Sequence, residues 1–398
     1  MRTTPLFDAD NHYYEPRDVF SRHFEPKLRD KMIRIETAPD GTEVISAKDR
    51  RFNFLDDMHF NFSTAPRPGS LREFLKSIKD ENVTDSTVWE AIRKEAVDRH
   101  ARIDFMDAHG IDGCFLFPTL GVCLEPLLKD DPEALQANYR AFNRWLDDDW
   151  GFARDGRIYS PPMFSLTDLS AAVTELDWAL KRGARMIGML PGPVQMRSPA
   201  DPMFDEFWRR ADEAHITLVL HIGESGYNQM FSTYWGENPW PSAHKQSALQ
   251  WTLFYGDRPI MDTIAALIYH NFFGRYPNIK VLSVENGCQW VPYLLNAMDK
   301  MKGMGRNGPW PGGPIKGKPS EIFKQHIYVN PYHEEDHALL AKQIGVGHVV
   351  FGSDYPHAEG MEQPREFIND LGNHMGRAEL QMIVHDNARN LVEGDRGH

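Results

Sequence analysis

Four stretches, far apart along the chain, hold residue types that bind divalent metals. The first is Asp8-Ala9-Asp10-Asn11-His12, just after the apolar pair Leu6-Phe7. In an extended strand alternate residues share a side, so Asp8, Asp10 and His12 are expected together there. A carboxylate and an imidazole aimed at one point are what a divalent ion asks for. The second stretch is His221-Ile222-Gly223-Glu224, after the apolar run Thr217-Leu218-Val219-Leu220, and the third is Glu285-Asn286-Gly287, after Val281-Leu282-Ser283-Val284. The fourth, Gly352-Ser353-Asp354-Tyr355-Pro356-His357, follows Val349-Val350-Phe351. Each alone has a bland reading: a lone His behind an apolar strand is usually structural, and Asp354 alone could cap a turn. Together they are harder to explain away, because several acids gathered at one buried rim are costly without a cation.

The elements that would position these residues follow a rhythm. After the first strand, helices are expected over 97–109, 132–150, 168–182, 201–214, 259–276, 290–301 and 335–344. Strands are expected over 111–117, 158–164, 184–190, 216–221, 279–285, 327–330 and 348–352. Eight strands, each after the first preceded by helix, predict an α/β chain folded as a (β/α)8 TIM barrel. In such barrels chemistry sits at the C-terminal ends of the strands, where all four stretches fall. The 398 residues fit one barrel domain over 1–398 with insertions. Residues 25–97 break the rhythm. They carry a hairpin around Pro39-Asp40-Gly41, an aromatic run over 52–62 and the breaker string Pro66-Arg67-Pro68-Gly69. A long insertion after strand one reads as a lid or substrate wall, with an oligomerisation arm as the plain alternative.

The motifs resemble the amidohydrolase superfamily. Asp10-x-His12 after the first strand, His221 after the fifth and the Gly352–His357 string after the eighth carry the likeness. It is to the amidohydrolase-related branch, which includes aminocarboxymuconate-semialdehyde and resorcylate decarboxylases. Asp201-Pro202-Met203-Phe204-Asp205-Glu206-Phe207-Trp208 and Asp386-Asn387-Ala388-Arg389-Asn390-Leu391 fit the same branch. The resemblance implies that Asp10, His12, His221 and Asp354 bind the metal. One departure stands out: where decarboxylases of this branch commonly place a catalytic His after the sixth strand, this chain has Glu285. Glu285 is open to two roles, general base or further ligand, and Glu15 would add to an acid-rich site. No Lys ends the fourth strand, which argues against the carbamylated-lysine bridge of binuclear hydrolases.

The function this implies is a metal-dependent hydrolase or decarboxylase, a C–C lyase, acting on a small or ring-bearing carboxylate or carbonyl substrate. Asp354 would take a proton from metal-bound water, with Glu285 or His357 as shuttle. Zinc, iron or manganese, as one or two ions, suits the ligand types. The alternative is a non-heme diiron monooxygenase on the same barrel, motivated by the acid-rich set; a non-catalytic binding barrel ranks below both. Tyr13, Arg197, Trp235 and His244 are expected to touch substrate. Trp235 and His244 lie in the aromatic segment after strand five, and Arg197 could pair with a substrate carboxylate.

Bulk composition narrows partners. A net charge of −13 disfavours nucleic acid and anionic membrane. No apolar run approaches a membrane span, and the start, Met1-Arg2-Thr3-Thr4-Pro5, lacks an apolar leader segment. Cys114, Cys123 and Cys288 form no CxxC pair and suit a reducing, cytoplasmic setting. A homo-oligomer is compatible with the resemblance.

Overall fold

The computed structural model describes residues 4–58, 60–79 and 87–394. The first three residues of the start and, within the insertion, residues 59 and 80–86 lie outside the described residues. Seven parallel strands appear in the expected order: Leu6–Tyr13, Ile111–Pro118, Ile158–Tyr159, Met186–Met189, Thr217–His221, Lys280–Val284 and Ile327–Val329. They form a three-strand and a four-strand sheet. Parallel bridges at Met163–Gly188, Val329–Val349 and Asn11–Tyr355 join the sheets and bring in the eighth strand. Backbone bonds from Ala9 N to Phe351 O and from His12 N to Tyr355 O, 2.8 and 2.7 Å, close the circle. The result is the (β/α)8 barrel the alternation predicts.

Its interior is packed. Phe7, Phe115, Tyr159, Met186, Val219, Leu282 and Val350, one from each of seven strands, form a single buried cluster. The C-terminal helix Asn387–Glu393 adds Ala388, Leu391 and Val392 to that cluster, and Thr217 Oγ1 donates to Leu391 O at 2.7 Å. The helix thus plugs the end of the barrel opposite the functional rim. The outer helices start where polar caps stand: the side chains of Asp98, Asp131, Asp168 and Asp336 each accept from a first-turn amide. The expected helix over 259–276 is two helices, Asp257–Tyr269 and Phe272–Arg275. Asn271, with φ 53°, breaks it in the left-handed conformation that Asn tolerates.

The insertion is built rather than irregular. The expected hairpin is present, Arg34–Thr37 against Glu43–Ala47, with Arg50–Arg51 as a third antiparallel strand. Thr64–Pro66 pairs with Trp89–Ala91, and helix Leu71–Lys79 lies between them in sequence. The segment after strand five latches onto it: Ala243 N donates to Phe54 O at 2.7 Å and His244 N to Asp57 Oδ2 at 3.0 Å. The three cysteines are buried and free. Among the described residues no helix is long and apolar enough to cross a membrane.

Candidate metal centre

Strand ends one, five, six and eight meet as expected. The ladder between strands one and two shifts register between Asp8 and Asn11. Such a bulge re-aims side chains, and it separates Asp8 from its neighbours. Asp8 Oδ1 accepts the Ser353 amide at 2.8 Å, and its carboxyl is pushed up to about 7, chiefly by burial. It ties strand eight to strand one and is not in the ligand cluster, which corrects the expectation that it shares a side with Asp10 and His12. Asp10 O accepts Asp354 N at 2.8 Å, so the two acids are fixed by one backbone contact. Gly352 is required there, because a Cβ on it would lie 2.3 Å from Asp10 Cβ. Below them Arg102, fully buried, donates to Asn11 Oδ1, His12 O and Glu95 O at 2.7, 2.6 and 2.7 Å.

The imidazoles are oriented by main-chain carbonyls. His12 Nδ1 faces Pro118 O at 3.1 Å and His221 Nδ1 faces Ile222 O at 2.7 Å. A carbonyl can only accept, so both rings carry their proton on Nδ1 and turn an Nε2 lone pair inward. The two Nε2 atoms are 3.2 Å apart. Asp10 Oδ1 lies 3.4 Å from the His12 Nε2 and 3.6 Å from the His221 Nε2, and Asp354 Oδ1 lies 3.3 Å from the His12 Nε2. Glu285 Oε2 is 3.5 Å from His221 Nε2. Asp10 Oδ1 and Asp354 Oδ2 are buried without a hydrogen-bond partner. Electron pairs converging with no proton between them repel. Separations of 3.2–3.6 Å are those of donors sharing one ion at about 2.1 Å from each. The donor set therefore fits a divalent cation.

Two overlapping groups can be drawn among the described residues: Asp10, His12 and His221, and His12, Glu285, Asp354 and His357. Burial, reinforced by Glu359 and Asp10 for Asp354 and by Asp354 and Asp10 for Glu285, pushes both carboxyls well above the usual range in the absence of an ion. Burial likewise depresses His12 to about 3. Both acids sit at positive φ, 54° for Asp354 and 55° for Glu285. Such strain concentrates where the surroundings over-determine a functional side chain. His357 Nδ1 is 2.8 Å from Asp354 Oδ1, and its Nε2 is 3.0 Å from Thr119 Oγ1. Thr119 gives its one proton to Tyr13 O at 2.8 Å, so it accepts from His357 and places the other His357 nitrogen, Nδ1, toward Asp354.

A cavity of about 590 Å³ opens onto the cluster. His12, His221, Glu285 and His357 line it, and so does His244. Three other expected substrate contacts stand elsewhere. Tyr13 is fully buried and stacks on Trp150, centroids 5.7 Å apart, pointing away from the cavity; its neighbour Tyr14 lines the wall instead. Arg197 is exposed and paired with Asp201 at 3.1 Å. Trp235 is 65% exposed and outside the lining. Glu15 lines the cavity but is not a clustered ligand: its Oε1 accepts Leu120 N and Gly121 N at 2.9 and 3.0 Å. Thr119, Tyr255, Tyr332 and Glu359 were not foreseen. All four follow or overhang strand ends, the signal that could have found them.

A barrel with these donors on its rim has the layout of a metal-dependent enzyme, and the comparisons give its family. The amidohydrolase family model matches residues 56–393, and the chain belongs to that family. It is similar to an amidohydrolase from Mycobacterium avium subsp. paratuberculosis K-10, map2389c, with 32% identity over 98% of this chain and 100% of that one, TM-score 0.85. The fold also matches 5-carboxyvanillate decarboxylase LigW from Sphingomonas paucimobilis, with 18% identity, 98% and 99% coverage and TM-score 0.61. It matches a dihydroxybenzoic acid decarboxylase from Polaromonas sp. JS666 with bound manganese and 2-nitroresorcinol as well, with 14% identity, 98% and 97% coverage and TM-score 0.60. No curated protein matches the sequence.

Proposed function

We propose that this chain is a metal-dependent hydrolase or decarboxylase acting on a small or ring-bearing carboxylate or carbonyl compound. The observation that carries the reading is the convergence of two Nε2 lone pairs with Asp10 Oδ1 and Asp354 Oδ1 at the floor of an aromatic-walled cavity. The fold neighbours named for aromatic-acid decarboxylation, one of them with bound manganese, support it. Asp10, His12, His221 and Asp354 would hold the ion, with Glu285 as a further ligand. A bound divalent ion supplies Lewis acidity and a water of lowered pKa.

The chain's own groups do the rest. Asp354 Oδ1 takes a proton and passes it to His357 Nδ1 across 2.8 Å. As a ligand Glu285 is a carboxylate, and it adds negative charge beside His221, its Oε2 3.5 Å from Nε2. Phe54, Met58, Phe60, Phe62, Leu75 and Trp89 of the insertion, with Ala243 and His244 of the segment after strand five, wall the cavity above it. Turnover of aromatic monocarboxylates, followed as carbon dioxide or hydrolysis product, should vanish on thorough chelation and return with manganese, zinc or iron. Turnover untouched by chelation refutes the proposal.

A second reading, a non-heme diiron monooxygenase, is favoured by one feature: the two donor groups overlap at His12 and the second is rich in carboxylates. It predicts about two irons per chain and a reaction that stops without dioxygen, whereas the first reading predicts anaerobic turnover.

A further inference from the structure

The cavity's walls differ sharply in charge from its floor. The insertion supplies Phe54, Met58, Phe60, Phe62, Leu75 and Trp89, and the segment after strand five adds Trp251 and Tyr255. Among the described residues that line it there is no Lys or Arg. Two arginines behind the cavity are committed elsewhere: Arg93 to Glu90, Glu362 and Tyr355, and Arg102 to strand one. Among the described imidazoles of the lining, His12 and His221 face the ion site, His357 pairs with Asp354, and His244 lies edge-on to Phe74 at 5.2 Å. Glu15, Glu285 and Glu359 add only negative groups to the lining. Among the described lining residues a second anionic group on a bound molecule would meet hydroxyl and amide donors but no Lys or Arg to offset its lost water, which apolar surroundings penalise.

We propose that the site selects compounds with a single anionic or carbonyl head and a bulky, uncharged, apolar body, and rejects those whose body carries a second acid. The placement of the head at the floor rests on the metal-dependent reading above; the demand on the body rests on the walls alone. A volume near 590 Å³ accommodates a ring system or a chain of this kind. The insertion is thus the specificity element. It converts a rim shared with other barrels into a pocket for hydrophobic monoacids.

Calorimetric titration of the manganese-loaded protein with matched pairs tests this: 2-naphthoate against 2,6-naphthalenedicarboxylate, and decanoate against decanedioate. Each monoacid should bind at least about tenfold more tightly than its diacid, the equivalent of about 1.4 kcal/mol. Leu75→Arg, at a half-exposed lining position on helix Leu71–Lys79, should bring the diacid of each pair level with or ahead of the monoacid. Diacids binding as well as monoacids to the unaltered protein, or no binding by any of the four, overturns the proposal. If the monoacid preference survives chelation intact, the proposal about the body stands and the metal-held head falls.

Discussion

Asp354→Asn separates a ligand from a merely structural acid. Asn keeps the shape and tolerates the left-handed φ of 54° at this position. In metal-free protein Asp354 is already driven toward its neutral form by burial and by Glu359 and Asp10. An amide replaces that neutral form closely, so stability measured in chelator should change by less than about 1 kcal/mol. With metal the carboxylate is a charged partner at a buried ion, and removing such a partner costs about 3–5 kcal/mol. At about 1.4 kcal/mol per tenfold, that weakens metal affinity by two to nearly four powers of ten. At a metal concentration about 100 times the wild-type Kd, wild type gains about 2.7 kcal/mol of stability, and the variant should gain only about 0.3 kcal/mol or less. Urea unfolding of both proteins in chelator and in manganese reads all four states. An equal metal increment in the two proteins, or a loss above about 3 kcal/mol in chelator, would refute the reasoning.

Arg102→Met strands three buried acceptors, Asn11 Oδ1, His12 O and Glu95 O. At about 1 kcal/mol or more each, it should cost at least about 3 kcal/mol and weaken manganese binding; a cost under about 1 kcal/mol by urea unfolding would show that the strand end supports itself. His326 is buried, stacks on Phe273 at 4.4 Å and is depressed to about 4, chiefly by burial. Between pH 6.5 and about 4 the unfolded chain binds a proton there that the folded chain does not, so this group's contribution to stability is lost as pH falls through that window. The stability gap between wild type and His326→Asn should narrow from pH 7 to pH 4, and a constant gap would contradict the assignment.

The barrel was legible because its strands are apolar runs of fixed spacing and its helices begin at Asp caps, signals that act locally. The rim was legible because a polar residue directly after such a run is conspicuous, as at His221, Glu285 and Asp354. What escaped was side-chain direction and tertiary neighbourhood. The alternation that pairs Asp10 with His12 also turns Tyr13 to the opposite side, where Trp145 and Trp150 receive it. The bulge between Asp8 and Asn11 then removed Asp8 from the set, and no pattern in residue types marks a bulge. Arg197 found its carboxylate four residues along, at Asp201, instead of on a substrate. Helix Leu71–Lys79 was hidden between breakers, and the latch between Phe54 and Ala243 joins parts of the chain that no periodicity connects. Asn271 ended a helix whose apolar spacing continues past it.

The central claim is that the lone pairs of His12 and His221 and the oxygens of Asp10 and Asp354 converge because a cation belongs among them. Elemental analysis of protein purified without added metal, beside a His12→Gln, His221→Gln double variant, asks this directly. The account predicts at least one divalent ion per wild-type chain and a near-zero content in a folded variant. A wild-type protein that carries no metal and takes up none from a manganese titration would contradict it.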